Sequence, residues 1–379
     1  MKIAITIHNY MSDNLNKWFA LNSTPGFGNA AIKKLYDHFG SIDAIFDADF
    51  AGLSEIENLS QKGIKFFIEN KSRLISLEKL IFPEGVKALA LDDDEYPKNL
   101  LQINDPPPII YKKGTIVKKD EKALAIVGTR KASHYGLSVA RRLASEIASL
   151  GITIVSGMAY GIDTAAHEGA LGAGGRTFAV LGCGVNVVYP PENFELAKKI
   201  IETGCLISEF SPDDPVENWK FPARNRIISG LSLGTIVIEG GYKSGAMITA
   251  KLALEQGREV FAVPGNIEFE QSKGPHWLIK QGAKLIEGID DILDELTHVL
   301  NILPSVLGKK EQNKKEEKDY TTLSFDEHNL LKYISFEPIH IDEIIKQAEV
   351  DISKALVLLS QLEMKKFIRQ LPGKLFILF

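Results

Sequence analysis

From Ala123 to Val263 the chain alternates short β-rich runs with helical stretches, and this alternation constrains the fold more than any other feature. The runs are Ala123 to Val127, Ile152 to Val155, Phe178 to Leu181, Leu206 and Ile207, Thr235 to Ile238, and Val260 to Val263. Strands joined through helices must run parallel, because each helix carries the chain back over the sheet before the next strand begins. The pattern therefore predicts an α/β fold with a Rossmann-like, doubly wound parallel sheet. Open sheets of this kind bind ligands beyond the carboxyl ends of their strands, so the loops that follow the strands are the place to look for chemistry.

The flanks read differently. Over residues 15–82, Trp18, Leu21, Ile32, Leu35, Phe39, Ile42, Ile45 and Phe46 recur at three- and four-residue intervals, which predicts a small helical unit. Within it Pro25-Gly26-Phe27-Gly28 separates two helices in helix-hairpin-helix order. Such a turn can present helix N–H groups to a DNA phosphate, or simply pack two helices together. Residues 92–114, rich in Asp and Pro, read as an ordered connector with a domain boundary near it. The lysine- and glutamate-rich stretch 301–319 reads as a solvated linker. Helical patterns at 326–335, 341–347 and 352–364 lead into Phe367 to Leu371, a Pro372-Gly373 turn and Lys374 to Phe379, which is winged-helix order. Lys354, Lys365, Lys366, Arg369 and Lys374 could rest that unit on a duplex, yet acidic residues slightly outnumber basic ones over 320–379. Duplex binding and partner docking both stay open for it. The expected domains are 1–82, helical; 83–300, Rossmann-like with its lead-in; 301–320, the charged linker; and 321–379, the winged helix.

Composition removes several classes of function. With 44 Lys and Arg against 49 Asp and Glu, the net charge is −5, so any polyanion site must be a local patch. The two cysteines, Cys183 and Cys205, are too few for a disulfide framework or a zinc site, and no metal set is present. No apolar run approaches the ~18 residues of a membrane helix, and Met1 to Ile7 is too short for a signal-peptide core. A reducing, cytoplasmic setting without membrane attachment is expected.

Four loops in the predicted crevice converge on anion binding. Gly128, Thr129, Arg130, Lys131 and Ser133 follow the first strand and open a helix, placing a glycine, hydroxyls and two cations at a helix N-terminus. The third glycine of the dinucleotide fingerprint is missing and no GxxxxGK[ST] loop occurs, which disfavours both NAD binding and ATP hydrolysis. Gly157 and Gly161 punctuate the second loop, with Asp163 as a possible helix cap and His167 as a structural histidine or an acid-base group. The third stretch, Trp219 to Arg226, holds Lys220, Phe221, Arg224, Asn225 and Arg226. Guanidinium groups grip phosphates while an aromatic stacks a base, a vocabulary suited to single strands. Arg224 and Arg226 could instead pair with structural carboxylates such as Glu239. Lys243, Ser244 and Gly245 form a further glycine loop at a helix start.

These residues resemble the DNA-processing protein A (DprA/Smf) family. The likeness runs through IVGTRKASHYG (126–136), IVSGMAYGIDTAAHEGAL (154–171), VLGCGVNVVYPPEN (180–193), LISEF (206–210), FPARNRIISGLS (221–232), SGAMITAKLALEQGREVFAVPG (244–265) and GAKLI (282–286). YPKNLLQINDPPPIIYKKG (96–114) is similar to the family's lead-in, and a SAM-like helical front and a winged-helix end accompany the longer members. The resemblance implies a non-enzymatic, cofactor-free homodimer that binds single-stranded DNA in natural transformation and recombination. It also implies loading of the RecA recombinase onto that strand, with displacement of single-strand-binding protein. The family's phosphate-binding arginine falls on Arg130 and its base-contacting aromatic on Phe221. Asn218 stands where members carry a DNA-binding lysine, and Asn186 where an aspartate is common. A reading from another class, a nucleoside-monophosphate phosphoribohydrolase, shares the glycine loops and a nearby carboxylate, Glu239, but its PGGxGT signature is absent.

Overall fold

The computed structural model describes residues 13–77, 82–300, 323–335 and 338–378. Contacts divide the chain into two compact units. The larger begins with five helices, α1 Asp13–Asn22, α2 Asn29–Phe39, α3 Ile42–Asp47, α4 Phe50–Ser54 and α5 Gln61–Leu77. Their apolar faces meet through Trp18, Ile32, Leu35, Ile45, Ile64 and Phe67. Local signals place the ends. Gly40 closes α2 in the left-handed region, and the Ser41 and Asp49 side chains accept from Ala44 and Gly52 N–H groups to start α3 and α4. The Pro25–Gly28 turn packs on α5: a Cβ at Gly63 would stand 2.8 Å from the Pro25 carbonyl, and the Phe27 and Phe67 rings lie 6.0 Å apart.

The sheet has nine strands in the order β1-β2-β6-β5-β4-β3-β7-β8-β9. They are β1 Val86–Ala90, β2 Ile109–Gly114, β3 Ala123–Val127, β4 Thr153–Ser156, β5 Thr177–Val180, β6 Cys205–Ser208, β7 Gly234–Val237, β8 Glu259–Ala262 and β9 Lys284–Leu285. From β6 across to β9 all pairings are parallel, as the alternation predicts. The stretch 92–114, read as a connector, contains β2. It pairs antiparallel with both β1 and β6, with Ala88 opposite Tyr111 and Tyr111 opposite Ser208. The run from Ile109 to Tyr111 is buried, but three prolines before it and two lysines after it disguise it as a loop. The hydrophobic core continues from the N-terminal helices into this edge, through Trp18, Phe19, Leu89, Ile110 and Ile207.

The helices of the sheet are α6 Lys98–Leu101, α7 His134–Ser149, α8 Ile162–Gly172, α9 Phe194–Thr203, α10 Lys220–Gly230, α11 Gly245–Glu255, α12 Lys273–Lys280 and α13 Ile289–Leu300. Strand order reverses at the β3·β7 pair, where Ala125 faces Thr235 and Val127 faces Val237. The loops after these two strands diverge there and open a crevice.

The smaller unit has helices Phe325–Leu331, Ile341–Ala348 and Ile352–Met364, then strands β11 Ile368–Leu371 and β12 Leu375–Leu378. A short strand, β10 Ile339–His340, makes the expected two-stranded ribbon three-stranded, with β12 in the middle. Its core gathers Leu330, Ile344, Leu358, Leu362, Phe367 and Phe376. Ser324 and Glu327 form a capping box, and the Lys365 ammonium reaches the buried Glu327 carboxylate at 2.7 Å. The linker expected at 301–319 and the segment Met1 to Ile7 lie outside the described residues. Among the described residues no helix is long and apolar enough to cross a membrane.

Candidate nucleic-acid interface

The crevice is assembled by glycines that let loops interlock. A Cβ at Gly128 would stand 2.4 Å from Ile162, and one at Gly161 would meet the Thr129 carbonyl at the same distance. Gly161 also sits at φ +77, where other residues are strained. Thr129 N–H donates to the Glu239 carbonyl at 2.8 Å, tying the loop after β3 to the loop after β7. The resulting cavity of about 500 Å³ is lined by Gly128, Thr129, Arg130, Asp163, Asn218, Phe221, Arg224, Asn225, Ser244 and Gly245.

At its mouth the Arg130 guanidinium lies over the Phe221 ring, 5.2 Å from the centroid. Phe221 is in the first turn of α10 and packs closely on Gly182, where a Cβ would come within 2.7 Å of the ring. Tyr189 flanks it, with ring centroids 5.7 Å apart. The N-terminus of α11 borders the same cavity, and around Gly245 the space is open.

Two buried charged groups, Arg224 and Asp163, form the floor. Arg224 is 4% exposed and donates to the Gly157 carbonyl at 2.8 Å, to the Val180 carbonyl, and to Asn225 Oδ1 at 3.2 Å. Asp163 faces it and accepts from the Gly157 and Ala159 N–H groups at 3.1 and 3.3 Å. Burial pushes the Asp163 carboxyl up to about 6, against the pull of Arg224, and lowers Arg224 to about 10. Any side chain at position 157 would intrude on both partners, since a Cβ there would stand 2.7 Å from each. His167 is buried, with Nδ1 2.7 Å from the Thr177 hydroxyl, and desolvation holds its pKa down to about 3. A neutral, enclosed imidazole fits the structural reading of that residue.

The structure separates the expected site residues into two groups. Gly128, Thr129, Arg130, Phe221, Arg224, Asn225, Ser244 and Gly245 share the cavity. Gly157 supports its floor. The others are placed elsewhere. Lys131 is exposed and its N–H donates to the Thr129 hydroxyl at 3.2 Å, while Ser133 accepts from Gly136 N–H at the start of α7. Lys243 is exposed on the turn before α11. Lys220 is 3% exposed, paired with Glu217 at 2.8 Å and Asp214 at 3.4 Å, beneath Phe210 and Trp219. Arg226 is held by Glu209 at 2.6 Å and Asp105 at 3.0 Å. Pairing with structural carboxylates, raised for Arg224 and Arg226 together, therefore describes Arg226, though through Glu209 and Asp105 rather than Glu239. Asn186 donates to Asp213 at 2.9 Å. The sequence reading missed two features: the burial of Arg224 and Asp163 around Gly157, and Tyr189 as the neighbour of Phe221. Only the aromatic in the Tyr189-Pro190-Pro191 turn offered a signal for the latter.

The family model described as DNA recombination-mediator protein A matches residues 87–297, and the DprA winged helix domain model matches 314–374. This chain belongs to the DNA recombination-mediator protein A family. Among its relatives, Protein Smf of Escherichia coli K12 is 39% identical over 283 residues, covering 74% of this chain and 75% of its own. Protein Smf of Synechocystis is 31% identical over 94% of this chain and 96% of its own. DNA processing protein DprA of Bacillus subtilis is 46% identical over 56% of this chain and 72% of its own. Family likeness extends to solved structures. DNA processing protein A from Streptococcus pneumoniae superposes with a TM-score of 0.64 at 34% identity, covering 76% of this chain and 98% of that one. The Helicobacter pylori protein, described for its single-stranded DNA binding mode, gives 0.51 at 30% identity over 56% of this chain and 96% of that one.

Proposed function

We propose that this protein binds single-stranded DNA in the crevice above the β3·β7 pair and uses the bound strand to load the RecA recombinase during transformation and recombination. The observation that carries the reading is Arg130 over Phe221 at the cavity mouth, a cation and a π-face presented together. Arg130 would take a phosphate, the N-terminus of α11 at Gly245 a neighbouring one, and Phe221 a base. Buried Arg224 would contribute its field from the floor rather than a flexible grip. Lys243 and Lys131 would act as outlying attractors of the backbone, and the paired Lys220 and Arg226 as builders of α10. The likeness to a Helicobacter pylori protein described for binding single-stranded DNA supports the same reading. We further propose a homodimer placing two crevices on one strand, no catalysis and no cofactor, a cytoplasmic setting, and contact with single-strand-binding protein during the handover. The helical domain 1–82, the linker 301–320 and the winged helix 321–379 would serve this central domain, 83–300.

Fluorescence anisotropy with a labelled single-stranded oligonucleotide at two salt concentrations tests the site. Wild type should bind with steep salt dependence, duplex and AMP should compete poorly, and Arg130→Ala should lose about tenfold or more. Wild-type affinity in the variant would remove Arg130 from the site. Weak strand binding with effective AMP competition would favour the phosphoribohydrolase reading, and free base would then be sought.

A further inference from the structure

Beside the cavity, on the Phe221 side, the Tyr189 ring packs against Phe221, and Tyr160 reaches the same segment through Glu192. Tyr189 is 38% exposed and Tyr160 is 42% exposed, and Phe221 lies 5.7 Å from Tyr189 with the ring planes tilted by 41°. The Tyr160 hydroxyl donates to Glu192. That bond pushes its pKa up to about 12, with a smaller contribution from Tyr189 nearby. Tyr160 belongs to the glycine loop after β4, next to Ala159, which lines the cavity. Tyr189 comes from the long segment between β5 and α9. Two separate segments thus bring half-exposed tyrosines to the rim of one crevice.

The charges around this rim are arranged asymmetrically. Arg130 lies over Phe221, whereas the carboxylate at the tyrosines is Glu192. A phosphate is favoured beside Arg130 and repelled beside Glu192, while a nucleobase, neutral and flat, is accepted by an exposed ring. Trp219, 60% exposed, is a weaker candidate: it donates to Glu217 at 2.9 Å and stands edge-on to Phe210 in a setting with two carboxylates, Glu217 and Asp214.

We propose that Tyr189, with Tyr160 beside it, is a second base-stacking platform continuous with Phe221. A strand then runs out of the cavity with its phosphates on the Arg130 side and successive bases on the tyrosine side. This rests on the single-strand reading above and deepens it: the ligand is a run of nucleotides rather than one, and the subsite reads π-faces rather than base edges, so it is indifferent to sequence.

The test combines protein variants with abasic substitutions walked along the oligonucleotide. In wild type, abasic replacement should weaken binding at two or more adjacent positions. Tyr189→Ala should weaken the intact strand by about tenfold, Tyr189→Trp should keep or improve binding, and one abasic position should cease to matter in Tyr189→Ala. Unchanged affinity in Tyr189→Ala, with Arg130→Ala defective, overturns the platform and leaves the strand-binding crevice standing. Equal weakening for intact and abasic strands assigns Tyr189 a supporting role in its loop and likewise overturns it. If Tyr189→Ala does not fold, the wild-type abasic scan decides alone, and a single sensitive position rejects the proposal. Failure of wild type to bind any single strand rejects both readings.

Discussion

The crevice holds its cations where sheet and loops fix them, Arg130 over Phe221 and Arg224 in the floor, whereas the third helix of the C-terminal unit turns apolar side chains outward. There Ile352, Leu356, Val357 and Met364 are 57%, 48%, 57% and 84% exposed. Lys354 on that helix is engaged with Asp326 at 2.7 Å, and Lys365 at its C-terminal cap with Glu327 at 2.7 Å. A helix that reads a duplex through its groove needs side chains that donate to phosphates and base edges. This one offers little of that chemistry. The contrast lies in how cations are held: Arg130 stays exposed at a cavity mouth, whereas Lys354 and Lys365 are engaged by carboxylates.

The comparison can be broken most forcefully at the crevice floor. Arg224→Met strips the buried Gly157 and Val180 carbonyls of their guanidinium donor and should cost on the order of 3 kcal/mol of unfolding free energy, read from urea midpoints. Arg130→Ala, at the mouth, should change stability by no more than about 0.5 kcal/mol. Equal stabilities for the two variants would mean that the buried guanidinium does not hold the floor together.

A second effect concerns pH. The folded chain holds the Asp163 proton more tightly than the unfolded chain, because its pKa rises from 3.8 to about 6. The associated stabilisation is therefore full below the unfolded value and is lost as pH rises through about 6, by an amount on the order of 2–3 kcal/mol. Exposed or paired carboxylates such as Glu95 and Glu217, held below their ordinary values, act in the opposite direction. The wild-type stability minus that of Asp163→Asn, followed from pH 4 to 7, isolates this residue. A difference flat across that range would mean that the carboxyl is not desolvated by the floor.

The smallest effect belongs to the C-terminal unit. Lys354→Ala and Arg369→Ala should alter duplex affinity by less than about twofold and leave its salt dependence unchanged. A fall of about 0.9 in the slope of log affinity against log salt for each cation removed would put this unit on DNA and erase the contrast.

Much of the architecture was legible because hydrophobic period and turn residues are local signals. Six of the nine strands follow from short apolar runs punctuated by glycine loops, and the winged helix from three amphipathic helices and a Pro-Gly turn. Strand β2 escaped notice because three prolines precede it and two lysines follow its short buried run, and its partners β1 and β6 are distant in sequence or unrecognised as strands. At the site, Arg130 and Phe221 were legible as types and as family positions, but their stacking on each other was not. Nor was the roof of carboxylates over Lys220, since Asp214 and Glu217 read as ordinary surface acids.

The sequence by itself determined the parallel sheet, the glycine loops that follow its strands, and membership of the family, because each depends on residues close together along the chain. Only the tertiary structure decided what each cation of α10 does. Lys220, Arg224 and Arg226 lie within seven positions, yet one is capped by surface acids, one sits in the crevice floor and one is clamped between Glu209 and Asp105. Asp105 is 121 residues away in sequence from the arginine it holds. Coulomb attraction and desolvation depend on distance and burial in space, and the fold alone brings such partners within reach.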